Sequence, residues 1–502
     1  MLRFILSSLF AILFSAVAAA EPVQVRIMSF NIWYGGDQVD FNGIIEAIKK
    51  ADADIVGLQE PDGKTLEIAA LAGYPYADVR RHIISKFPLF DSGAGERTEE
   101  GNPLYSIAGV DSNAVHAWAL VAPGKVIAVA NTHLTSNPYG PELVRDGKAL
   151  EEVMQNEADT RVPEAQALAD GLSGVAKSGT PVFLTGDFNS PSHLDWTEIV
   201  SKARPEVKFP VEWPASKLLA DSGLIDSYRA AHPDPVKNPG LTWTPGYPHP
   251  YVRDIETHDR IDMVWAANAQ TVSSEIAGET GNPDVSIPFM PWPSDHRAVV
   301  STFSVEPADA PALITVEPRP VVLGQSFIVR VSSPAHANWS AIIVPRGGDP
   351  AKDAITGIKD IEPGDRPTIK LSTIGFEPGR YDAVMLDGEG KELARSRFSI
   401  VSADAKATVS VTQPEVKTGG DIAVAWSGAP GFRFDWVGVY RKNEPSVYNY
   451  LGFVYTGAKH EGELTFPAAE LYEELAPGDY EVRLMHDDHY ATLAVAPFTI
   501  SP

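Results

Sequence analysis

The residues best suited to chemistry stand at the ends of apolar runs: Asn31 after "MSF", Glu60 closing "DIVGLQE", His133 in "NTHL", Asp187 and Asn189 in "GDFN", Asp262 in "DRIDMV", and Asp295-His296 in "PWPSDHRAVV". Carboxylates and amide oxygens are hard ligands suited to magnesium, manganese or calcium, whereas zinc favours sets richer in histidine or cysteine. A cation held by one or two carboxylates polarises a phosphoryl oxygen and offsets charge on a leaving oxygen. A carboxylate facing a histidine fixes its tautomer and favours imidazolium, a positive group for a pentacovalent phosphorus. A further aspartate can orient and deprotonate water, and an asparagine can donate to phosphate without adding negative charge. The inventory is that of metal-assisted hydrolysis at phosphorus.

Each motif taken alone also has a plain reading. "GDFN" is a common turn with Asx hydrogen bonds, "SDH" an ordinary strand entry, "NTHL" a structural histidine and "QE" a solvated strand end. What must position them is a set of strands. "VQVRIMSFNIW" alternates, and "KVIAVANTHL", "TPVFLTGDFN", "RIDMVWAA" and "HRAVVSTFSV" are apolar runs of strand length. "FNGIIEAIKK" has helical spacing behind a cap at Asp40. Polar residues at strand ends can be presented to one cleft from separated parts of a sequence.

The 502-residue chain is long enough for several domains. Residues 1–20, with Arg3, an apolar run and small residues before Ala20, read as a secretory signal cleaved near Ala20, which implies a secreted or periplasmic protein. No later stretch approaches a transmembrane helix, so stable membrane insertion is not expected. The absence of cysteine excludes disulfides and thiolate metal sites. A net charge of −25 argues against general attraction to nucleic acid, although a bound cation can reverse the field locally. "NWS" at Asn338 fits a glycosylation acceptor.

A catalytic domain is expected over 21–305, and "EPADAP" (306–311) reads as a linker. Beyond it the texture turns to short strands, with an internal repeat. Pro378-Gly379 and Pro477-Gly478 make equivalent turns, Tyr381 and Tyr480 follow them, and each unit closes on Phe-x-Ile. Two β-sandwiches, 312–402 and 405–502, are the natural reading, as spacers or docking modules whose partner is unknown. Trp436 and Tyr440 are candidates either for carbohydrate or surface binding or for core packing.

The ordered series "SFNIW", "QE", "ISKFPL", "NTHL", "GDFN", "DRID" and "SDHRAV" resembles the endonuclease/exonuclease/phosphatase superfamily over about residues 23–305. The resemblance implies an α/β fold, a four-layer α/β/β/α sandwich, and covers nothing after the linker; the repeat beyond it adds two all-β immunoglobulin-like sandwiches to the expected architecture. The resemblance also implies Glu60 as a metal ligand with Asn31 beside it and Asp295 as a second metal-side carboxylate, for Mg2+, or else Mn2+ or Ca2+. Asp187 matches the residue that activates or positions the nucleophile, Asn189 the one that steadies the scissile phosphate, His133 the histidine that contacts the phosphate or leaving group, and His296 the phosphate-stabilising histidine with Asp262 as its carboxylate partner. Asp226, His116, Arg260 and Tyr139 are further candidates for substrate contact, as are Lys86, Arg145, Arg161 and Arg297. The long segment Ser136–Asp170 reads as an inserted loop beside the site, with the character of a specificity lid.

The expected activity is hydrolysis of a small or phospholipid-head-group-like phosphate ester, monoester or diester. The alternatives are a secreted nuclease and a non-catalytic surface or glycan-binding protein. "FMPWP" (Phe289–Pro293) is the nearest candidate for an aromatic membrane hairpin.

Overall fold

The structure is a computed structural model that describes residues 22–502 except 80, 92–114, 248, 318–320, 333–338, 362–367, 405, 430–434, 448, 458 and 487–488. The expected leader and the acceptor at Asn338 lie outside the described residues. Among the described residues no helix is long and apolar enough to cross a membrane.

Up to Asp187 the strands are β1 (Val23–Asn31), β2 (Ile55–Gln59), β3 (Tyr76–Asp78), β4 (Ile83–Ser85), β5 (Leu89–Asp91), β6 (His116–Ala122), β7 (Lys125–His133) and β8 (Val182–Asp187). Then come β9 (Ile225–Asp226), β10 (Asp262–Ala267), β11 (Ala269–Gly278), β12 (Val285–Pro288), β13 (Ala298–Val305) and β14 (Ala308–Asp309). They build two sheets, ordered β12-β11-β13-β1-β2-β4-β3 and β5-β6-β7-β8-β10-β9.

Val25, Ile27, Ile55, Val299 and Phe303 of the first sheet pack with Ala117, Val129, Phe183 and Val264 of the second in one core. Burying a side chain of this size stabilises the fold by about 1.5–3 kcal/mol. The outer faces are covered by helices, which is why β2 and β8 are buried throughout and read as continuous apolar runs. Helix α1 (Phe41–Ala51) covers the first sheet through Ile44, Ile45 and Ile48. Its N-terminus is capped as expected, Asp40 accepting from the Asn42 N–H. Helix α2 (Thr65–Ala72) joins it on that face. On the second sheet the segment after His133 folds into α3 (Gly140–Arg145), α4 (Leu150–Asp159) and α5 (Arg161–Lys177). They are followed by α6 (Glu198–Ala203), α7 (Pro214–Asp221) and α8 (Ser227–Ala231). Leu168 and Leu172 of α5 and Leu219 of α7 pack on Leu184 and Trp265. The result is the four-layer arrangement.

The segment expected as a linker is instead tied to the sheet. β14 pairs antiparallel with β7, and Ala310 and Leu313 pack with Phe90, Leu120 and Val126. Backbone pairing by Ala308–Asp309 and burial of Ala310 within "EPADAP", and of Leu313 just after it, make the join adherent, which its proline-rich composition does not reveal.

The remaining chain is strand-rich, with a three-stranded and a five-stranded sheet in each of two successive units. The repeat is visible in atomic detail. Tyr381 donates its hydroxyl to the Glu377 carbonyl at 2.7 Å, and Tyr480 to that of Ala476 at 2.9 Å. Tyr381 packs on Phe398 and Tyr480 on Phe498, both pairs tilted by 30°. These units are consistent with immunoglobulin-like sandwiches.

Candidate active site

Strand register assembles the site. In the second sheet β7 runs parallel to β8 with His133 opposite Asp187, and β8 runs antiparallel to β10 with Asp187 opposite Asp262. Three residues distant in sequence therefore form one row across three strands. In the first sheet β1 and β2 are parallel with Asn31 opposite Gln59, so Glu60 leaves the sheet beside Asn31. Asp295 and His296 arrive on the turn into β13, which pairs with β1.

Asp187 is the centre of the cluster. Its Oδ2 accepts from Asn31 Nδ2 at 3.0 Å and lies 3.4 Å from His133 Nε2 and 3.7 Å from His296 Nε2. Its Oδ1 accepts from the Asn189 N–H at 2.9 Å, holding that residue at φ 46°. Burial alone would raise the Asp187 pKa, but His296 and His133 outweigh it and bring the value down to about 2. Asn189 Nδ2 also donates to the Leu134 carbonyl, which ties the turn to the strand end carrying His133.

His296 is buried, with Nδ1 2.9 Å from Asp262 Oδ2. Burial disfavours its charge, yet Asp262, Asp187 and Asp295 hold its pKa well above the ordinary value. His133 keeps 33% of its side chain open to the cleft. Burial opposes its protonation too, but Asp187 and Glu60 raise its pKa to about 9.

Glu60 sits in the left-handed region at φ 57°. Its Oε1 accepts from Asn31 Nδ2 at 3.1 Å and its Oε2 from the Tyr34 N–H at 2.8 Å. Asp295 is the outlier. Its Oδ1 is buried with no hydrogen-bond partner among the described residues. Burial, with Glu60 nearby and against the pull of His296, pushes its pKa up to about 7.

The further candidates divide. Tyr139 lines the cleft, its hydroxyl 3.3 Å from Asp259 Oδ2. Arg260 and Asp226 are not available to substrate. Arg260 is buried, its guanidinium bonded to Asp226 at 2.6 Å and Asp195 at 3.0 Å, while Asp226 caps α8 through the N–H groups of Tyr228 and Arg229. A buried guanidinium needs carboxylate partners, and these occupy it. His116 is a third correction: it is buried, packs edge-on against Trp118 at 4.7 Å and is not among the described residues lining the cleft.

Arg161 is buried against Glu157 and the Ser136 and Pro138 carbonyls, fixing the inserted segment in place. Arg145 pairs with Glu142 and Asp146, Arg297 with Glu279, and Lys86 with Asp52. "FMPWP" does not form an exposed hairpin: Trp292 is buried and donates Nε1–H to the His296 carbonyl at 2.6 Å.

Other parts of the site carry little sequence signal. Trp243 packs against His296 with centroids 4.7 Å apart and the rings tilted by 48°. Its neighbour Thr242 accepts the Ile261 and Asp262 N–H groups, and Thr244 donates to the Asp295 carbonyl. "LTWTP" resembles any polar turn until folding lays it over both motifs. Between the sheets, Asn131 Oδ1 accepts from Gln59 Nε2 at 2.7 Å and Thr185 Oγ1 at 2.8 Å, a buried network under the strand ends.

A family model described as the Endonuclease/Exonuclease/phosphatase family matches residues 28–296, more than half of the chain. The chain belongs to that family. An uncharacterized protein of Caenorhabditis elegans is 29% identical over 310 residues, 56% of this chain and 91% of its own length. Solved structures with similarity include an endonuclease/exonuclease/phosphatase from Beutenbergia cavernae, at 16% identity over 75% of this chain and 99% of that one, with a TM-score of 0.34. An AP endonuclease from Archaeoglobus fulgidus matches at 18% identity over 55% and 98% of the two chains, with a TM-score of 0.31.

Endonuclease/exonuclease/phosphatase proteins are in general hydrolases of phosphoester bonds that use a divalent metal. The residues present fit such an ion. Glu60 and Asp295 supply hard oxygens, and the unpartnered Asp295 oxygen is an acceptor that burial makes costly unless a cation or proton meets it. Asp187, Asp262 and His296 also come within 4.8 Å of one another. Both ring nitrogens of His296 already face carboxylates there, so that trio is better suited to holding a proton than a metal.

Proposed function

We propose that this chain is an exported, divalent-metal-dependent hydrolase of phosphate esters, acting on a small or head-group-like organophosphate. The observation that carries the reading is Asp187, kept ionised and ringed by Asn31, His133 and His296 at the mouth of two converging parallel strand pairs. Export rests on the leader-like residues 1–20, and the acidic balance favours a small substrate over a polyanion.

Glu60 and Asp295, with Asn31 alongside, would hold Mg2+, or else Mn2+ or Ca2+. The bound ion would supply Lewis-acid polarisation of the phosphoryl group and offset charge on the leaving oxygen. The rest falls to side chains. With its proton affinity so low, Asp187 orients the attacking water and takes its proton only as the new P–O bond forms. His296, kept as imidazolium by Asp262, lies against the equatorial oxygens as negative charge grows on them. His133, protonated at neutral pH, contacts the phosphate or passes a proton to the departing oxygen as the old P–O bond breaks. Asn189 holds the turn at which the phosphate rests.

The purified protein with magnesium, manganese or calcium should hydrolyse bis-p-nitrophenyl phosphate or p-nitrophenyl phosphate. His296→Ala or Asp187→Ala should lower the rate by several orders of magnitude, about 10²–10⁴-fold or more, while leaving the fold intact. Full activity in either variant would refute the role of the residue replaced. Plasmid cleavage far outpacing the small esters would make the protein a nuclease.

A further inference from the structure

The cleft at the site encloses about 780 Å3, far more room than a phosphoryl group and a metal ion require. One wall is not made by the catalytic layers. It comes from the second sandwich, and every described residue which that sandwich brings to the cleft is aromatic: Trp436, Tyr450, Phe453, Tyr455 and Tyr472.

Their packing is organised. The strand Trp436–Arg441 pairs antiparallel with the edge strand Gly452–Tyr455, setting Trp436 opposite Tyr455 and Gly438 opposite Phe453. Alternate residues share a face, so Trp436, Phe453 and Tyr455 emerge together. Gly438 leaves the gap this needs, since a Cβ there would lie 2.6 Å from the Trp436 ring and 2.9 Å from that of Tyr440. Tyr450 meets Trp436 at 5.3 Å, Phe453 at 5.4 Å and Tyr472 at 5.9 Å between centroids. Trp436 and Tyr440 are buried and anchor the group, whereas Phe453 is 37% and Tyr472 65% exposed. A cluster of edge-packed rings that is fixed at its base and open at its tip is a surface prepared for contact. The catalytic domain's share of the lining carries Glu60, Asp62, Glu142, Asp187 and Asp295 together with Arg81, His133 and His296, so charge is concentrated at the reacting end and the far wall is uncharged and aromatic.

We infer that the second sandwich is part of the substrate site, and that its aromatic wall receives a planar ring on the arm of the phosphate ester that does not react. This rests on the hydrolase reading above for the chemistry at the other end of the cleft. It makes the substrate a phosphodiester with a ring-bearing arm, and it gives the C-terminal unit a role in specificity.

The test uses the full-length protein and two diesters with the same leaving group, bis-p-nitrophenyl phosphate and methyl p-nitrophenyl phosphate, which differ only in the arm. The variant is Phe453→Ala/Tyr472→Ala, chosen because both side chains are exposed. The expected result is a fall of about tenfold in kcat/KM for the ring-bearing ester, with a much smaller change for the methyl ester and a circular dichroism spectrum like that of wild type. Equal losses on both esters, or no loss on either, would overturn the inference. Wild-type protein inert towards both esters with all three metals would remove the hydrolase reading instead. The wall is then judged by calorimetric binding of diphenyl phosphate against dimethyl phosphate with magnesium. Ring-selective binding that the variant abolishes supports the inference, and equal binding of the two, or selectivity that survives in the variant, ends it.

Discussion

His296 is held to Asp262 by a 2.9 Å contact between Nδ1 and Oδ2, buried on the boundary between the two sheets. Asp262 opens β10 in the second sheet, whereas His296 stands on the turn entering β13 in the first. The contact therefore spans the sandwich, and it sets both the charge of the imidazole and the direction in which Nε2 points.

Replacing that carboxylate should be costly to the reaction and mild for the fold. Asp262→Asn is expected to lower kcat/KM by about 10²–10⁴-fold, because the amide cannot hold the imidazolium and favours a different tautomer. Rates on bis-p-nitrophenyl phosphate with a thermal melt beside them would check this. A variant as active as wild type would show that His296 needs no partner.

Glu60 faces Asn31 on one side and Asp295 across the cleft. Glu60→Gln keeps its size and removes its charge, so the magnesium needed for half-maximal rate should rise by about 10–100-fold. An unchanged metal titration would count against Glu60 as a ligand.

The buried network beneath the strand ends leaves no room at Gly57. A Cβ there would lie 1.9 Å from Thr185 Oγ1 and 2.5 Å from Asn131 Oδ1. Gly57→Ala should destabilise the catalytic domain by about 1–3 kcal/mol through overpacking between the sheets. A denaturant melt that matched wild type would mean the two sheets can separate there at little cost.

Asp259 offers a test in pH. It is buried, accepts from Trp196 Nε1 at 2.8 Å, and its pKa rises to about 6, burial outweighing Arg204 and its hydrogen bonds. The folded state thus keeps this proton to higher pH than the unfolded chain, whose aspartate titrates near 3.9. Its stabilising contribution is full below about pH 4 and is lost as pH rises through about 6. Asp259→Asn, which cannot ionise, should therefore raise the free energy of unfolding relative to wild type at pH 8 by on the order of 1–3 kcal/mol, with the advantage vanishing near pH 4 in denaturant melts at the two pH values. A difference that does not vary with pH would show that Asp259 is neutralised by a partner instead.

Much of the site is legible in order and residue type. Asn31, Glu60, His133, Asp187, Asn189, Asp262, Asp295 and His296 lie on strands or turns that hydrophobic patterning finds, and the structure brings all of them together. Arg260, Asp226 and His116 are misread from sequence because a charged or polar residue near a motif has the same signature whether it faces the cleft or the interior. Only the packing of α8 and of the Asp195 turn decides this for Arg260 and Asp226, and that of Trp118 for His116. Trp243 and the Gln59–Asn131–Thr185 network leave no signal, since each acts through a partner far away in sequence.

The primary structure by itself determined which segments are strands, which polar residues cap them, and that the tail is a repeat, because these follow from local periodicity and turn chemistry. Tertiary structure alone decided which ends meet. Strand register set His133, Asp187 and Asp262 side by side, and the packing of separate units brought the aromatic face of the second sandwich to the cleft. Such long-range pairings depend on the shapes of whole surfaces, which no short stretch of residues encodes.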